Sequence, residues 1–249
     1  MGYDWILAFY PAVQAFLAGQ NPYGIGLRDF LNPPWVLPFL APFGLLPPEL
    51  GAVGINLVNL SGLVAFCRKA GRGWMALPLA LSFPMGVLLW HAQLEGFLLW
   101  GLAIGGPLGF LFLSFKPQVG GGLALLWLWQ AWQTRGWRGV VQLTWPTAML
   151  AMLFTALYPN WLGAMFSATE QSAAGAIGGF PWLIPLGAFF LVLALRTQRE
   201  ELAGPGILFL SPYARFHSWI ISLAIAACRY PVEGVIACVV SWIVFGLLI

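Results

Sequence analysis

The run ELGAVGINLVNLSGLVAFC, residues 49–67, stays apolar for close to the ~20 residues that a bilayer core demands of a helix, then stops at Arg68, Lys69 and Arg72. An apolar run that ends in a basic cluster is the signature of a membrane helix ending at the cytoplasmic side. Comparable runs recur along the chain, and two further clusters, Arg135/Arg138 and Arg196/Arg199, punctuate them. Charged residues make up 8% of the chain, against about a quarter in soluble proteins. Barrel strands would alternate apolar and polar residues over many segments, and these do not. The fold class expected is therefore all-α, a polytopic helical membrane protein forming one transmembrane domain over 1–249. A net charge of +3 suits cytoplasmic loops and gives no reason to expect nucleic acid as a partner.

The clusters fix a topology, because residues between neighbouring clusters must cross an even number of times. If 49–67 crosses inward, residues 1–48 lie outside. They are expected to form an interfacial amphipathic helix, with Trp5, Phe9, Val13 and Phe16 on one side, and then a loop. Residues 34–47, broken by Pro34, Pro38, Pro42 and Pro47, read as a half-helix dipping in from the outer face. Pieces are then expected at 74–89, 92–105, 107–115 and 117–133, the third too short to span so that Lys116-Pro117 sits within the outer half of the membrane, and a crossing at 139–158. A Gly/Ala/Ser-rich outer loop follows over 159–180, a return over 181–196, a short helix over 204–211, and segments over 216–228 and 232–249. This gives about seven to nine membrane helices or half-helices. A single crossing at 204–228 would flip the C-terminus. The tryptophans, Trp127 and Trp161 included, read mostly as an interfacial belt.

One device repeats: a short apolar helix, a polar break holding proline, then another helix. It occurs around Pro84/His91, at Lys116/Pro117 and at Ser211/Pro212. Irregular backbone at membrane depth survives only where protein buries it or a wet cavity bathes it. Re-entrant or broken helices around one outward-facing cavity are the expectation.

Ionisable residues inside a bilayer are costly and mark function by default. Five sit at the breaks: His91, Glu95, Lys116, Arg215 and His217. Lys116 is either a cation for an anionic headgroup or a snorkelling lysine. Arg215 has the same two readings, with bidentate geometry for phosphate. His91 and Glu95, one helical turn apart by spacing, could pair, hold a sugar hydroxyl or share a metal, and two ligands alone make no metal site. His217 either joins the site or faces outer water. Asp4 alone would be a helix cap, Glu49 a first-turn charge, and Arg28/Asp29 a weak surface pair. Cys67, Cys228 and Cys238 show no metal spacing and read as small hydrophobes.

Five elements occur in order: YDWILAFYPAVQAFLAGQNPYG, NPPWVLPFLAPFGLLPP, HAQLEGFLLWGLA, FKPQ and LSPYARFH. This ordered set resembles the bacterial polytopic glycosyltransferases of the GT-C superfamily, specifically the polyprenyl-phosphate-mannose-dependent α-(1→2)-mannosyltransferase family. The resemblance implies transfer of a sugar from a polyprenyl-phosphate donor on the outer side of the bacterial cytoplasmic membrane. It implies that Asp4 is the general base and that Lys116 and Arg215 face the phosphate. It places His91 and Gln93 at the family's GQ element, with His in place of Gly. Asn21, Tyr23 and Arg28 fall in the NPY loop and join the substrate-binding set. The donor is substrate, so no cofactor is implied, and the need for a metal is left open. Family members carry a first membrane helix ahead of the catalytic aspartate and are longer by several helices. The expectation is a shortened relative, or a start that lies upstream. Two classes of function remain: a lipid-linked-sugar transferase, or a non-catalytic membrane subunit packing on lipid or other subunits through glycines such as Gly105, Gly106 and Gly120–Gly122. A transporter, which would show paired halves, ranks behind both.

Overall fold

Pro48 opens the first long helix, where its missing N–H costs nothing, and Glu49 occupies its first turn. Arg68 and Lys69 close it against the negative end of the dipole. The same punctuation by proline divides the whole chain. The computed structural model describes residues 2–26, 30–172 and 180–246, with the side chains of all of these except 167–172, 245 and 246. Among them there is helix and no strand.

A π-helical turn, Trp5–Phe9, leads into α1, Tyr10–Leu17. A 3-10 turn, Pro34–Val36, leads into α2, Leu37–Gly44, and α3 spans Pro48–Lys69. Next come α4, Ala76–Ala80, and α5, Phe83–His91, with α6, Glu95–Ile104, and α7, Gly106–Leu113. The helix α8 covers Pro117–Leu157, α9 Trp161–Ser172, α10 Ile184–Thr197 and α11 Glu200–Leu210. After the 3-10 turn Phe216–Ser218, α12 covers Trp219–Arg229 and α13 Pro231–Gly246.

By length and composition two helices, α3 and α8, can cross a membrane, or three if Gly73–Ala80 and Phe83–His91, bent by 73°, form one span. The helix α8 is in fact folded on itself. Gly136 has φ 57° and ψ −148°, which a side chain would strain. A Cβ on Gly139 would meet the Ala131 carbonyl, whereas eight residues of straight helix would separate them by about 12 Å. Both far ends meet one residue: Trp35 donates to Ser114 Oγ just before α8 and packs edge-on against Trp161 just after it. So α8 is a hairpin of two arms, with Arg135 and Arg138 at its vertex.

The vertex lies towards the end of the bundle that collects the other basic clusters. One cleft there is lined by Lys69, Gln130, Gln198, Glu201 and Arg229, from the ends of α3, α10 and α12 and the first arm of α8. Glu201 accepts from Arg199 at 2.7 Å and faces Arg229 at 2.9 Å. Arg199 also donates to the Tyr230 hydroxyl at 2.6 Å. So α12 runs towards this end, as the expected 216–228 segment does. Glycine sets the closest helix contacts. A Cβ on Gly62 would strike the Gly96 carbonyl, and one on Gly96 would strike Asn59, so α3 and α6 touch backbone to backbone.

Several expectations are corrected. The first helix is no surface helix: Trp5, Phe9 and Val13 are buried in the core, and Trp5 donates to the Pro48 carbonyl. The outer loop 159–180 contains α9. Trp161 and Trp127 turn inward, Trp127 donating to Glu200 at 3.0 Å. Gly120 packs on the Leu113 carbonyl and Gly122 on the Ala203 carbonyl, so these glycines serve contacts inside the chain. The three cysteines are free and buried, and Cys67 and Cys228 lie 3.8 Å apart, sulfur to sulfur.

Candidate functional site

The helices α6, α8 and α12 begin at a common place, opposite the basic end. Each start carries an ionisable residue: Glu95 in the first turn of α6, Lys116 at the N-cap of α8, and His217 in the 3-10 turn before α12. All three are buried, Glu95 completely. Helix starts carry positive partial charge, which stabilises the carboxylates gathered there.

The residues form one continuous polar chain. Lys116 Nζ donates to Glu95 Oε1 at 2.6 Å and to Gln93 Oε1 at 2.8 Å. Gln93 Nε2 donates to Asp4 Oδ2 at 2.5 Å. An ammonium can only donate and an ionised carboxylate only accept, so this order fixes which way the Gln93 amide points. His217 Nδ1 lies 2.8 Å from Glu95 Oε1, and His91 Nδ1 lies 3.0 Å from Asp4 Oδ2. With Glu95 ionised, His217 donates through Nδ1 and leaves Nε2 as an acceptor. His91, its side chain 21% exposed, is where the chain meets the surface, with Tyr3 edge-on against it.

Backbone placement follows from the break after α5. His91 lies in the last turn of that helix, and Ala92 ends it in the left-handed region at φ 51°. A non-glycine residue there is strained and persists because its surroundings over-determine it. Asn59 supplies part of that constraint: Nδ2 donates to the Gln93 carbonyl at 2.9 Å and Oδ1 accepts from the Gly96 N–H at 2.8 Å. Asn32 does the same at the Lys116 break, donating to the Phe115 carbonyl at 2.8 Å.

Of the residues anticipated, Asp4, His91, Gln93, Glu95, Lys116 and His217 come together. The break separates His91 from Glu95, which sit on different helices and hold different partners. Asp4 makes no helix-capping hydrogen bond, so the cap reading is replaced by its bond from Gln93. Lys116 is matched inside the protein rather than snorkelling. Arg215, partly buried with its guanidinium 5.1 Å from the Tyr213 ring centre, stands two residues before His217 in the chain. Asn21 and Tyr23 lie apart from the cluster, in a second cleft beside Tyr158 and Trp161. Arg28 lies outside the described residues. No group of three or more metal-binding side chains occurs among the described residues. Asn32 and Asn59 were missed, although an amide inside an apolar run that must be buried was the available signal.

Comparison with known protein families, curated proteins and solved structures finds no match. The chemistry therefore rests on the cluster. It can hold two negative charges, one positive charge and two imidazoles out of water. Glu95 Oε2 and His217 Nε2 are buried and make no hydrogen bond among the described residues. Such orphans are costly at full burial and suit a partner that supplies a hydroxyl or a proton.

Proposed function

We propose that the chain is a glycosyltransferase of GT-C type in the bacterial cytoplasmic membrane, moving a sugar from a polyprenyl-phosphate donor to an acceptor hydroxyl on the outer side. The sugar is mannose if donor choice follows the family it resembles. One observation carries the proposal: Gln93 hydrogen-bonds Asp4 on one side and Lys116 on the other. The resemblance makes those two the base and the phosphate-side cation, and one amide side chain holds both although they lie far apart in sequence.

In the proposed reaction the acceptor oxygen attacks the anomeric carbon as the carbon–phosphate oxygen bond breaks. The acceptor proton goes to Asp4, held between His91 and Gln93 at the exposed end of the cluster. Polyprenyl phosphate leaves with the electron pair. Arg215 and the helix starts around Lys116 stabilise its negative charge. One base and no covalent intermediate make the transfer inverting, as in inverting glycosidases. The outward cavity and the re-entrant pieces belong to this proposal. Irregular backbone at membrane depth is tolerated where protein buries it or where it lines a wet cavity, and the proposal takes the second case, with a headgroup as the occupant.

A specific observation favours a second reading. Lys116, Glu95 and His217 close on one another, so the cluster could lock a non-catalytic subunit together. Transfer from labelled polyprenyl-phosphate-mannose to an acceptor extract, in proteoliposomes of wild type and Asp4→Asn, separates the two. The proposal expects a loss of at least about a hundredfold in the variant. Folded wild type that transfers from none of a panel of polyprenyl-phosphate sugars would overturn it and favour the second reading.

A further inference from the structure

Beside the end of α1 lies a second cleft of about 230 Å³. Gln20, Asn21, Tyr23, Tyr158, Asn160 and Trp161 line it, and among the described residues none of its lining is charged. Amides offer both donors and acceptors, and aromatic faces pack on the C–H face of a ring. An uncharged lining offers nothing to phosphate, carboxylate or ammonium. The volume lies below the ~300–1,000 Å³ of drug-sized sites, which suits one small ring.

The cleft is also tied to the cluster twice. The Tyr23 hydroxyl donates to the Asn32 carbonyl at 2.9 Å, and Asn32 Nδ2 donates to the Phe115 carbonyl, next to Lys116. Trp161 packs on Trp35, which donates to Ser114 at 3.0 Å. Both relays end in the break that carries Lys116. The Asn21 side-chain oxygen Oδ1 accepts from the Tyr23 N–H at 3.1 Å, which shapes the wall and leaves the side-chain amide Nδ2 for a ligand hydroxyl.

We infer that this cleft binds an uncharged sugar ring, with Tyr158 as its stacking face and Asn21 and Asn160 as its hydroxyl partners. It deepens the proposed transferase reading by giving a sugar a seat outside the charged cluster. The same ring chemistry occurs in a free acceptor saccharide and in the sugar of a lipid-linked donor.

The test uses the full chain in nanodiscs prepared without glycosidic detergent. Saturation-transfer NMR is run with free mannose, glucose and a mannose disaccharide, and separately with polyprenyl-phosphate-mannose. Saturable binding of a free sugar, weakened about tenfold by Tyr158→Ala and by exposed Asn160→Ala, is the expected result. Asp4→Asn should leave it unchanged. Binding confined to the lipid-linked sugar, with the same loss in both variants, would assign the cleft to the donor's ring and still support it. Absence of saturable binding in both arms, or binding that neither variant alters, overturns it. Binding by a wild type that transfers nothing keeps the cleft and sinks the transferase. Transfer with no sugar bound in the cleft sinks the cleft alone.

Discussion

Two charge clusters lie at the two ends of α12 and of the first arm of α8, and they are built on different physics. At the helix starts Lys116, Glu95 and His217 are sealed from solvent. At the basic end Glu201 is mostly covered, but the side chains of Arg199 and Arg229 are 41% and 55% exposed. A sealed pair gives up so much hydration that it survives only when every charge is matched, whereas a wet pair costs little and contributes little. The sealed cluster is therefore the one to which selection for a task could apply, since apolar residues would pack there more cheaply.

That contrast can be broken. Lys116→Met strands the Glu95 carboxylate and should destabilise the folded protein by about 3–5 kcal/mol, read by denaturant unfolding in detergent. Adding Glu95→Gln should recover at least half of the loss. A single variant as mild as any at the basic end would mean that the sealed cluster is wetter than its burial implies.

The next effect down concerns the frame that holds the sealed end. Gly96→Ala would push a methyl into the Asn59 backbone, which cannot yield without parting α3 from α6. A loss of about 2 kcal/mol is expected. Unchanged stability would show that the two helices are not in register through Asn59.

The smallest effect belongs to the basic end. Burial pushes the Glu201 carboxyl up, but its backbone hydrogen bond, the bond from Arg199 and the charges of Arg229 and Arg199 outweigh this and hold it below the usual carboxylate range. A depressed pKa contributes stability that is present above the ordinary carboxylate range and is lost as pH falls through the lowered value. Glu201→Gln should lower the melting temperature by no more than about 2 °C at neutral pH, with the difference vanishing in acid and shrinking in high salt. A pH-independent difference would assign the effect to packing instead.

The crossings were legible because their signals are local. Apolar run length and basic residues at one end together mark α3 and the two arms of α8 to within about two residues, and α10 as a shorter apolar helix starting three residues later than expected. Pairings were less legible. Spacing put His91 and Glu95 on one helix face, yet Ala92 breaks the helix between them. A break around His91 was expected, but alanine is the strongest helix former, so the local sequence did not assign the left-handed residue to Ala92. Tertiary bonds from Asn59 impose it. The cluster's membership was readable from the cost of charge in a bilayer. Its order was not, since Gln93 earns its place only through two partners distant in sequence. The helix α9 escaped notice although Asn160 stands at its N-cap position, because the Gly/Ala/Ser-rich composition of 159–180 reads as a loop.

The fold of α8 has a mechanical consequence. Its two arms stand like the legs of a stepladder, with Gly136 as the pivot and Trp35 as the brace between the feet. Each leg is roughly 30 Å long, so ten degrees at the pivot would spread the feet by about 5 Å. One foot carries Lys116, and beside the other lie Tyr158 and Trp161. Leverage of this kind makes the distance between the charged break and the uncharged cleft a magnified copy of the angle at a single glycine at the vertex of the hairpin.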